Sequence, residues 1–291
     1  MKYLLALWLL CSTAHAQFMT GGWDGEANDW RTRVRTNSGT VSVTSYWNAT
    51  QFMQSIKRWH IRPQVVSAGL YLGGETNAVV MALIHDLSNM DAQVQLFNFA
   101  AADYSEAVGL TGNTTTKYIL LSTPIGGSVS MNQIAQFAHL GVYVRSNVNA
   151  NFQHVIGAST SVGDSAAYVL VNFSGLTYGQ CNDTVALQWN SADTNGTGMY
   201  LAVRTATNFA ATYRNGAQLA SQTGNLSGTH NSVAAIALHA FNTDGTVAQW
   251  SSRTLAFWTV GFGLTPTEVS AYYKAVQRLQ FNAGRAIGAI P

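Results

Sequence analysis

Alternation of apolar and polar residues is the feature that most restricts the fold of this chain. Between residues 184 and 284 the alternation returns in one segment after another, which is typical of β-strands that bury one face. The strand-like segments are TVALQW (184 to 189), MYLAVRT (199 to 205), ATYRNGAQLAS (211 to 221), SVAAIALHAF (232 to 241) and TLAFWTVG (254 to 261). This block predicts the second half of a β-sandwich.

The same period of two starts after residue 92. Its segments, separated by Gly, Asn, Ser and Thr, are QVQLFNF (93 to 99), TKYILLS (116 to 122), FAHLGVYVR (137 to 145), FQHVIGAS (152 to 159) and AAYVLVNF (166 to 173). Asn215-Gly216 favours the positive φ angles of a two-residue hairpin turn. We therefore expect an all-β, antiparallel jelly-roll sandwich over residues 91–291, with one C-terminal helix.

That C-terminal helix has a strong start signal. Thr265 suits the N-cap, Pro266 suits the first helical position, and Glu268 completes a capping box three residues after the cap. The helix is expected to end at Gly284 and to pack an apolar face on the sandwich. That face consists of Val269, Tyr272, Tyr273, Val276 and Leu279.

Helical periodicity dominates residues 17–90, which we interpret as an N-terminal helical extension. One helix is predicted over residues 27–37, and a second is predicted from about Ser42 to a stop before Pro63. The second helix carries a stripe at spacings of three and four, formed by Tyr46, Thr50, Met53, Ile56 and His60. The apolar segment at residues 77–86 suits a helix or a strand, and we favour a helix.

The first sixteen residues have the features of a secretory signal peptide. Lys2 precedes the apolar run LLALWLL, and Ala14 and Ala16 fit an Ala-x-Ala cleavage site. We expect the mature chain to begin at Gln17 and to be secreted, periplasmic or displayed on the cell surface. A virion location is the alternative.

Charged residues make up only 10% of the chain, and the formal net charge is +2. This composition gives no electrostatic footprint for nucleic acid, and after the leader no apolar run is long enough to span a bilayer. Cys181 is the only cysteine after the leader, so an internal disulfide is excluded. A buried thiol and an intermolecular bridge both remain open for Cys181.

Several segments together resemble a known family. They are VGLTGNTTTKYI (108 to 119), FAHLGVYVRSN (137 to 147), TYRNGAQLAS (212 to 221) and RTLAFWTVGFGLTPTEVSAYYKAVQRL (253 to 279). They resemble the concanavalin A-like, laminin-G-like jelly rolls of bacterial, prophage and tailed-phage proteins. Residues 29–62 also resemble the helical hairpin that precedes this domain in the phage-associated group. The resemblance implies a sandwich fold, whose members range from lectins and adhesion modules to glycan hydrolases.

Catalytic residues are not evident in the sequence. Retaining glycan hydrolases need two carboxylates about 5 to 5.5 Å apart, and the Glu-x-Asp-x-x-Glu strand motif of concanavalin-like glucanases is missing here. The nearest acidic cluster is Asp24, Glu26 and Asp29, which we interpret as the polar start of a helix. Nucleophile-elbow, HExxH and P-loop motifs are also missing. We therefore expect a protein without catalytic activity.

Two loops carry the best binding candidates. An aromatic ring that packs on sugar C–H groups, together with amides and carboxylates that bind hydroxyls, suits carbohydrate. The candidate glycan-binding residues are Trp189, Asn190, Asp193, Asn195, Asn242 and Asp244. Asp193 and Asp244 are also candidate ligands of Ca²⁺, which some laminin-G-like relatives use. No other cofactor is expected.

These observations favour a carbohydrate-binding or adhesion module with a polysaccharide or cell-surface glycan as partner. The alternative is a structural assembly protein of a virion or cell surface, which would act through copies of itself or through assembly partners. A glycan hydrolase is the weakest of the three hypotheses.

Overall fold

The computed structural model describes residues 22–86, 94–121, 137–150, 152–159, 166–183, 189–224, 226 and 234–285. The predicted signal peptide lies outside these residues. The helices are α1 Gly25–Thr36, α2 Val43–Arg58, α3 Thr76–Val79 and α4 Pro266–Asn282. Short 3₁₀ turns cover Arg62–Gln64 and Ala101–Asp103. None of the described helices is long and apolar enough to cross a membrane.

Strands account for most of the remaining structure. In chain order they are β1 Val65–Gly69, β2 Ile84–His85, β3 Gln95–Phe97, β4 Tyr104–Ser105, β5 Gly109–Thr111, β6 Tyr118–Leu120, β7 Ala138–Val144, β8 His154–Ser159, β9 Ala166–Phe173, β10 Leu176–Asp183, β11 Trp189–Ala192, β12 Gly198–Ala206, β13 Phe209–Arg214, β14 Ala217–Thr223, β15 Ala237–Leu238, β16 Phe241–Thr243, β17 Thr246–Ala248 and β18 Thr254–Phe262.

The strands form two sheets that pack face to face. The helix-side sheet has the order β14-β13-β12-β7-β18-β1-β2, with β5 on β18 and β4 on β5. The far sheet has the order β11-β10-β9-β8-β15-β6-β3, with β16 on β8 and β17 on β16. The β8–β16 contact is parallel, whereas the other described pairs are antiparallel. This arrangement confirms the predicted antiparallel sandwich.

Two apolar cores hold three layers together, because the helix-side sheet is buried on both faces. Adjacent residues of β18 show the alternation: Trp258 belongs to the core between the sheets, and Phe257 belongs to the core beneath the helices. Phe257 lies with its ring centroid 5.7 Å from that of Phe52 on α2 and 6.0 Å from that of Tyr272 on α4. Burying one such ring contributes roughly 1.5 to 3 kcal/mol.

The predicted caps and hairpin are present. Ser42 caps α2, and Thr265 forms the capping box with Glu268 at the start of α4. The 3.3 Å bond from the Glu268 amide to Thr265 Oγ1 is returned by a 2.7 Å bond from the Thr265 amide to Glu268 Oε2. Asn215 and Gly216 adopt φ angles of 51° and 78° between β13 and β14, as their turn type requires.

Residues 17–90 differ from the expected helical extension. Val65–Gly69 forms β1, which pairs with β18 inside the helix-side sheet. The helix favoured for residues 77–86 is wrong over most of its length, since α3 ends at Val79 and β2 covers Ile84–His85. β1 is buried at all five positions, so its run shows no period of two, and β2 is only two residues long, too short for any period to be recognised.

Cys181 is buried in the core between the sheets. Its side chain is 0% exposed, and its thiol donates to the carbonyl of Ala138 at 3.3 Å. An intermolecular disulfide at Cys181 is therefore incompatible with the folded chain, and the buried-thiol interpretation is confirmed.

Candidate functional site

Asp193 lies beneath the surface rather than on an exposed turn. Its side chain is 2% exposed. Its carboxylate accepts hydrogen bonds from Tyr200 Oη at 2.7 Å, Arg214 Nη1 at 2.9 Å and Thr177 Oγ1 at 3.2 Å. Burial, and after it the bond to Asp193, raises the pKa of Tyr200 well above its usual value. Asp193 is therefore already fully bonded within the protein and cannot contact a ligand without losing these partners.

Trp189 and Asn190 belong to strand β11. Their backbones pair with Gly179 and Tyr178 of β10, so the expectation that Asn190 lies on a turn is wrong. Their side chains lie outside what the structure describes. Asn195 is exposed, as expected, and its Oδ1 accepts from the hydroxyl of Thr197 at 2.7 Å.

The two candidate residues of the second predicted loop differ in burial. Asn242 is 2% exposed; it donates to the carbonyl of Ala235 at 2.8 Å and accepts from the Gly245 amide at 2.9 Å. It therefore shapes the turn rather than offering its amide to a ligand. Asp244 is exposed at the tip of that turn, with a φ angle of 46°.

A Ca²⁺ site shared by Asp193 and Asp244 does not fit the sheet geometry. The Asp244 amide donates to the carbonyl of Ser159, which pairs with Ala166 at the first residue of β9. The Asp193 amide donates to the carbonyl of Gly175, which lies just beyond the last residue of β9. The eight residues of β9 separate these ends by about 23 Å. One ion cannot bridge that distance, and the described residues contain no cluster of three metal-ligating side chains.

The acidic cluster near the N-terminus is the start of a helix, as predicted. Asp24 is the N-cap of α1 and accepts from the Glu26 amide at 2.9 Å. Lys57 lies 2.8 Å from Asp24 and 2.7 Å from Glu26, and Arg33 lies 2.7 Å from Asp29. These carboxylates are ion-paired at the start of α1.

The aromatic and amide side chains that suit a ligand lie where three connections between strands meet at one end of the far sheet. They are the segment from β7 to β8, the turn from β9 to β10, and the segment from β11 to β12. We call this surface the loop end and define it by Asn147, Phe152, Phe173, Tyr178 and Asn195.

Three aromatic rings follow one another across the loop end. Phe152 is 49% exposed and lies with its ring centroid 4.6 Å from that of Phe173. The Phe173 centroid is 5.8 Å from that of Tyr178, and both of these rings are partly exposed. Phe173 and Tyr178 are neighbours because Ser174 and Gly175 form a tight turn with φ angles of 53° and 79°.

Amide groups lie on the same connections as these rings. Asn147 is exposed, donates to the carbonyl of Thr194 at 3.2 Å and accepts from the Gly196 amide at 2.9 Å. Asn172, directly before Phe173, donates to Asn147 Oδ1 at 2.9 Å. The bonds fix the amides relative to the rings, which is the preorganisation that weak polar recognition needs.

Arg253 anchors the loop end from below. It is fully buried, and its guanidinium donates to the carbonyls of Val148, Gln153 and Val171. Two of these carbonyls belong to the segment from β7 to β8, and that of Val171 belongs to strand β9. Burial lowers the pKa of Arg253 to about 10, so the side chain remains a cation, and a full set of donors, at neutral pH.

Comparison with known proteins leaves the family open. No protein-family model matches the chain, and no curated protein matches it. Solved structures with similar backbones include the NanB sialidase of Streptococcus pneumoniae, with 13% identity and a TM-score of 0.44 over 55% of this chain and 26% of that one. The botulinum neurotoxin serotype D binding domain has 10% identity and a TM-score of 0.46 over 74% of this chain and 52% of that one. The Ruminococcus gnavus IT-sialidase CBM40 has 12% identity and a TM-score of 0.42 over 57% of this chain and 96% of that one. This chain spans about a quarter of the NanB chain and about half of the toxin chain. The sandwich fold is shown by the strand order of this chain itself.

The sequence alone did not identify four residues of the loop end, namely Phe152, Phe173, Tyr178 and Asn147. The Ser-Gly dipeptide after Phe173 was the available signal, because such a pair at the end of an apolar run indicates a turn. That turn makes Phe173 and Tyr178 neighbours. The proximity of Phe152 and Asn147 depends on tertiary contacts that no local pattern encodes.

Proposed function

We propose that this protein is a non-catalytic carbohydrate-binding module whose ligand lies on the loop end. The observation that carries the proposal is the contact series Phe152, Phe173 and Tyr178 beside the fixed amides of Asn147 and Asn195. Aromatic faces pack on the C–H groups of sugar rings, and amides exchange hydrogen bonds with their hydroxyls. The partner is a polysaccharide or a cell-surface glycan.

The same surface argues against hydrolysis. Among the described residues of the three connections, Asp193 is the only carboxylate, and it is already bonded to Tyr200, Thr177 and Arg214. Glycoside hydrolysis by the usual route needs a pair of carboxylates that flank the scissile bond. We therefore propose binding without cleavage, with useful attachment supplied by several copies acting together.

A glycan array probed with residues 17–291, with and without chelator, tests the proposal. Phe152→Ala should weaken retention on the best glycan severalfold and leave the fold intact, because the ring is half exposed. Phe281→Ala is the matched control, since Phe281 is 56% exposed on α4 and lies away from the loop end. Equal losses in both variants, or reducing ends released by the wild type, would contradict the proposal. A loss caused by chelator would show that binding needs a metal ion, held at a place other than a site shared by Asp193 and Asp244.

The assembly hypothesis has its own supporting observation on the helical layer. Trp23, Trp59 and Phe281 are 50%, 56% and 56% exposed, and such side chains would suit contact with another copy if they lie in one patch. If no glycan on a broad array binds, a structural protein of a virion or cell surface becomes the better candidate. Sedimentation of the mature chain at rising concentration would then test self-association.

A further inference from the structure

A charged pair lies directly beneath the loop end. Arg214 Nη1 donates to Asp193 Oδ1 at 2.9 Å, and the guanidinium is 21% exposed whereas the carboxylate is 2% exposed. Asp193 is the first residue of the segment that carries Asn195, and its Oδ1 also accepts from the Asn195 amide at 3.2 Å. The pair therefore forms the floor of the proposed glycan site.

The contacts of Arg214 hold its charge within the protein. Besides the bond to Asp193, its Nε donates to the carbonyl of Thr197 at 3.1 Å. Its guanidinium carbon lies 5.8 Å from the ring centroid of Tyr200, within the range of a cation–π contact. A buried carboxylate and two further contacts thus neutralise and orient the cation nearest to Asn195.

The other arginines near these connections do not face the loop end: Arg145 is partly exposed, but two residues before it Tyr143 packs in the helix-side core. Arg145 donates to the carbonyl of Ala107, on the helix side of the molecule, and Arg253 is fully buried among backbone carbonyls. Within the described part of the loop end, the accessible groups are rings, amides and hydroxyls. A carboxylated sugar would lose water there without gaining a free cation, which is costly for a charged group.

We propose that Asp193 sets the charge of the ligand: by holding the Arg214 guanidinium, it makes the loop end a site for neutral glycans and excludes carboxylated sugars such as sialic and uronic acids. The inference rests on the proposed carbohydrate-binding function and defines its substrate class. Asp193 is a positioning residue, since it acts through Arg214 and does not itself touch the sugar.

The experiment compares matched ligands on one array: lactose, N-acetyllactosamine and glucan oligosaccharides beside the sialylated forms of the first two. The wild type should bind the neutral member of each pair more tightly. Asp193→Asn keeps acceptor and shape but removes the charge that compensates Arg214. Sialylated ligands should then bind about tenfold more tightly, the effect of one charge-assisted hydrogen bond. The double variant Asp193→Asn/Arg214→Gln removes the released cation and should lose this gain.

The outcomes separate the two proposals. Two results overturn the charge inference alone. One is a wild type that prefers the sialylated member of a pair. The other is a folded Asp193→Asn protein that binds neutral glycans but does not bind sialylated ligands more tightly. No binding to any glycan by any variant overturns the carbohydrate-binding proposal and this inference with it. If Asp193→Asn fails to fold, the wild-type comparison of neutral and sialylated ligands still tests the charge inference. The affinity of the wild type for neutral ligands should also not change between low and high salt.

Discussion

Three buried histidines should make the stability of this protein steeply dependent on pH. His139, His154 and His239 are 0%, 6% and 0% exposed. Burial, as the largest cause, lowers the pKa of His139 to about 4 and the pKa values of His154 and His239 to about 3. The ordinary value is 6.5, so each ring is neutral in the folded chain at pH values where the unfolded chain binds a proton.

The sign and size of the effect follow from this difference. The stabilisation is fully present above pH 6.5, and it is lost as the pH falls towards the folded-state values of 3 to 4. One such group changes the free energy of unfolding by about 1.4 kcal/mol per pH unit, so three give about 4 kcal/mol per unit. Between pH 6.5, where the unfolded rings are half protonated, and pH 5 the loss is about 5 kcal/mol, which is comparable with the whole stability of a typical domain.

Urea unfolding at several pH values between 7 and 5 measures this slope, in a range where the carboxylates contribute little. His154→Phe should reduce the slope to about two thirds, because one of three protons is removed. The new ring keeps the packing on Phe241 and Tyr168, whose centroids lie 4.5 and 5.1 Å from that of His154. His60→Asn, at an exposed position with a φ angle of 56°, is the control. A wild-type slope below about 1.5 kcal/mol per unit, or no change in His154→Phe, would refute the reasoning.

Three further predictions concern stability and are checked by denaturation midpoints. Thr265→Ala should cost about 1 kcal/mol, because the capping box with Glu268 is lost; an unchanged midpoint would show that the cap does not matter. Gly179→Ala should cost about 1 to 3 kcal/mol, since a Cβ would lie 2.2 Å from Thr212 Oγ1, and Thr212→Ala should restore part of the loss. Arg62→Gln breaks ion pairs to Glu26 and Asp86 and should cost less than about 1 kcal/mol, a difference that should shrink in high salt.

The sequence predicted the elements whose signal is local. The period of two placed β9 at Ala166–Phe173, and the cap, proline and glutamate at residues 265–268 placed the start of α4. Strand β10 was missed because its sequence, LTYGQCND, is mostly polar and small. It is held by its neighbours β9 and β11 and by close contact of Gly179 with Thr212, none of which a single segment reveals.

The site was harder to predict than the fold. Asn195 and Asp244 are exposed as expected, but Asp193 and Asn242 are buried. An acidic or amide residue in a turn-like sequence can satisfy the backbone or a distant partner as readily as a ligand. For Asp193 that partner is Arg214, 21 residues away along the chain, and only the packing of β12 and β13 brings the two together.

The position of β18 has a consequence for how the chain reaches its final form. This strand, near the C-terminal end, lies between β7 and β1 and pairs with both. Until Thr254–Phe262 has been synthesised, β1 has no neighbour on that side and the described strands of the helix-side sheet form three separate pieces, β14-β13-β12-β7, β1-β2 and β4-β5. Pairings between such distant segments fold slowly. A ribosome-bound chain that stops short of residue 254 lacks this central strand, so we expect the helix-side sheet to assemble only after β18 has been synthesised.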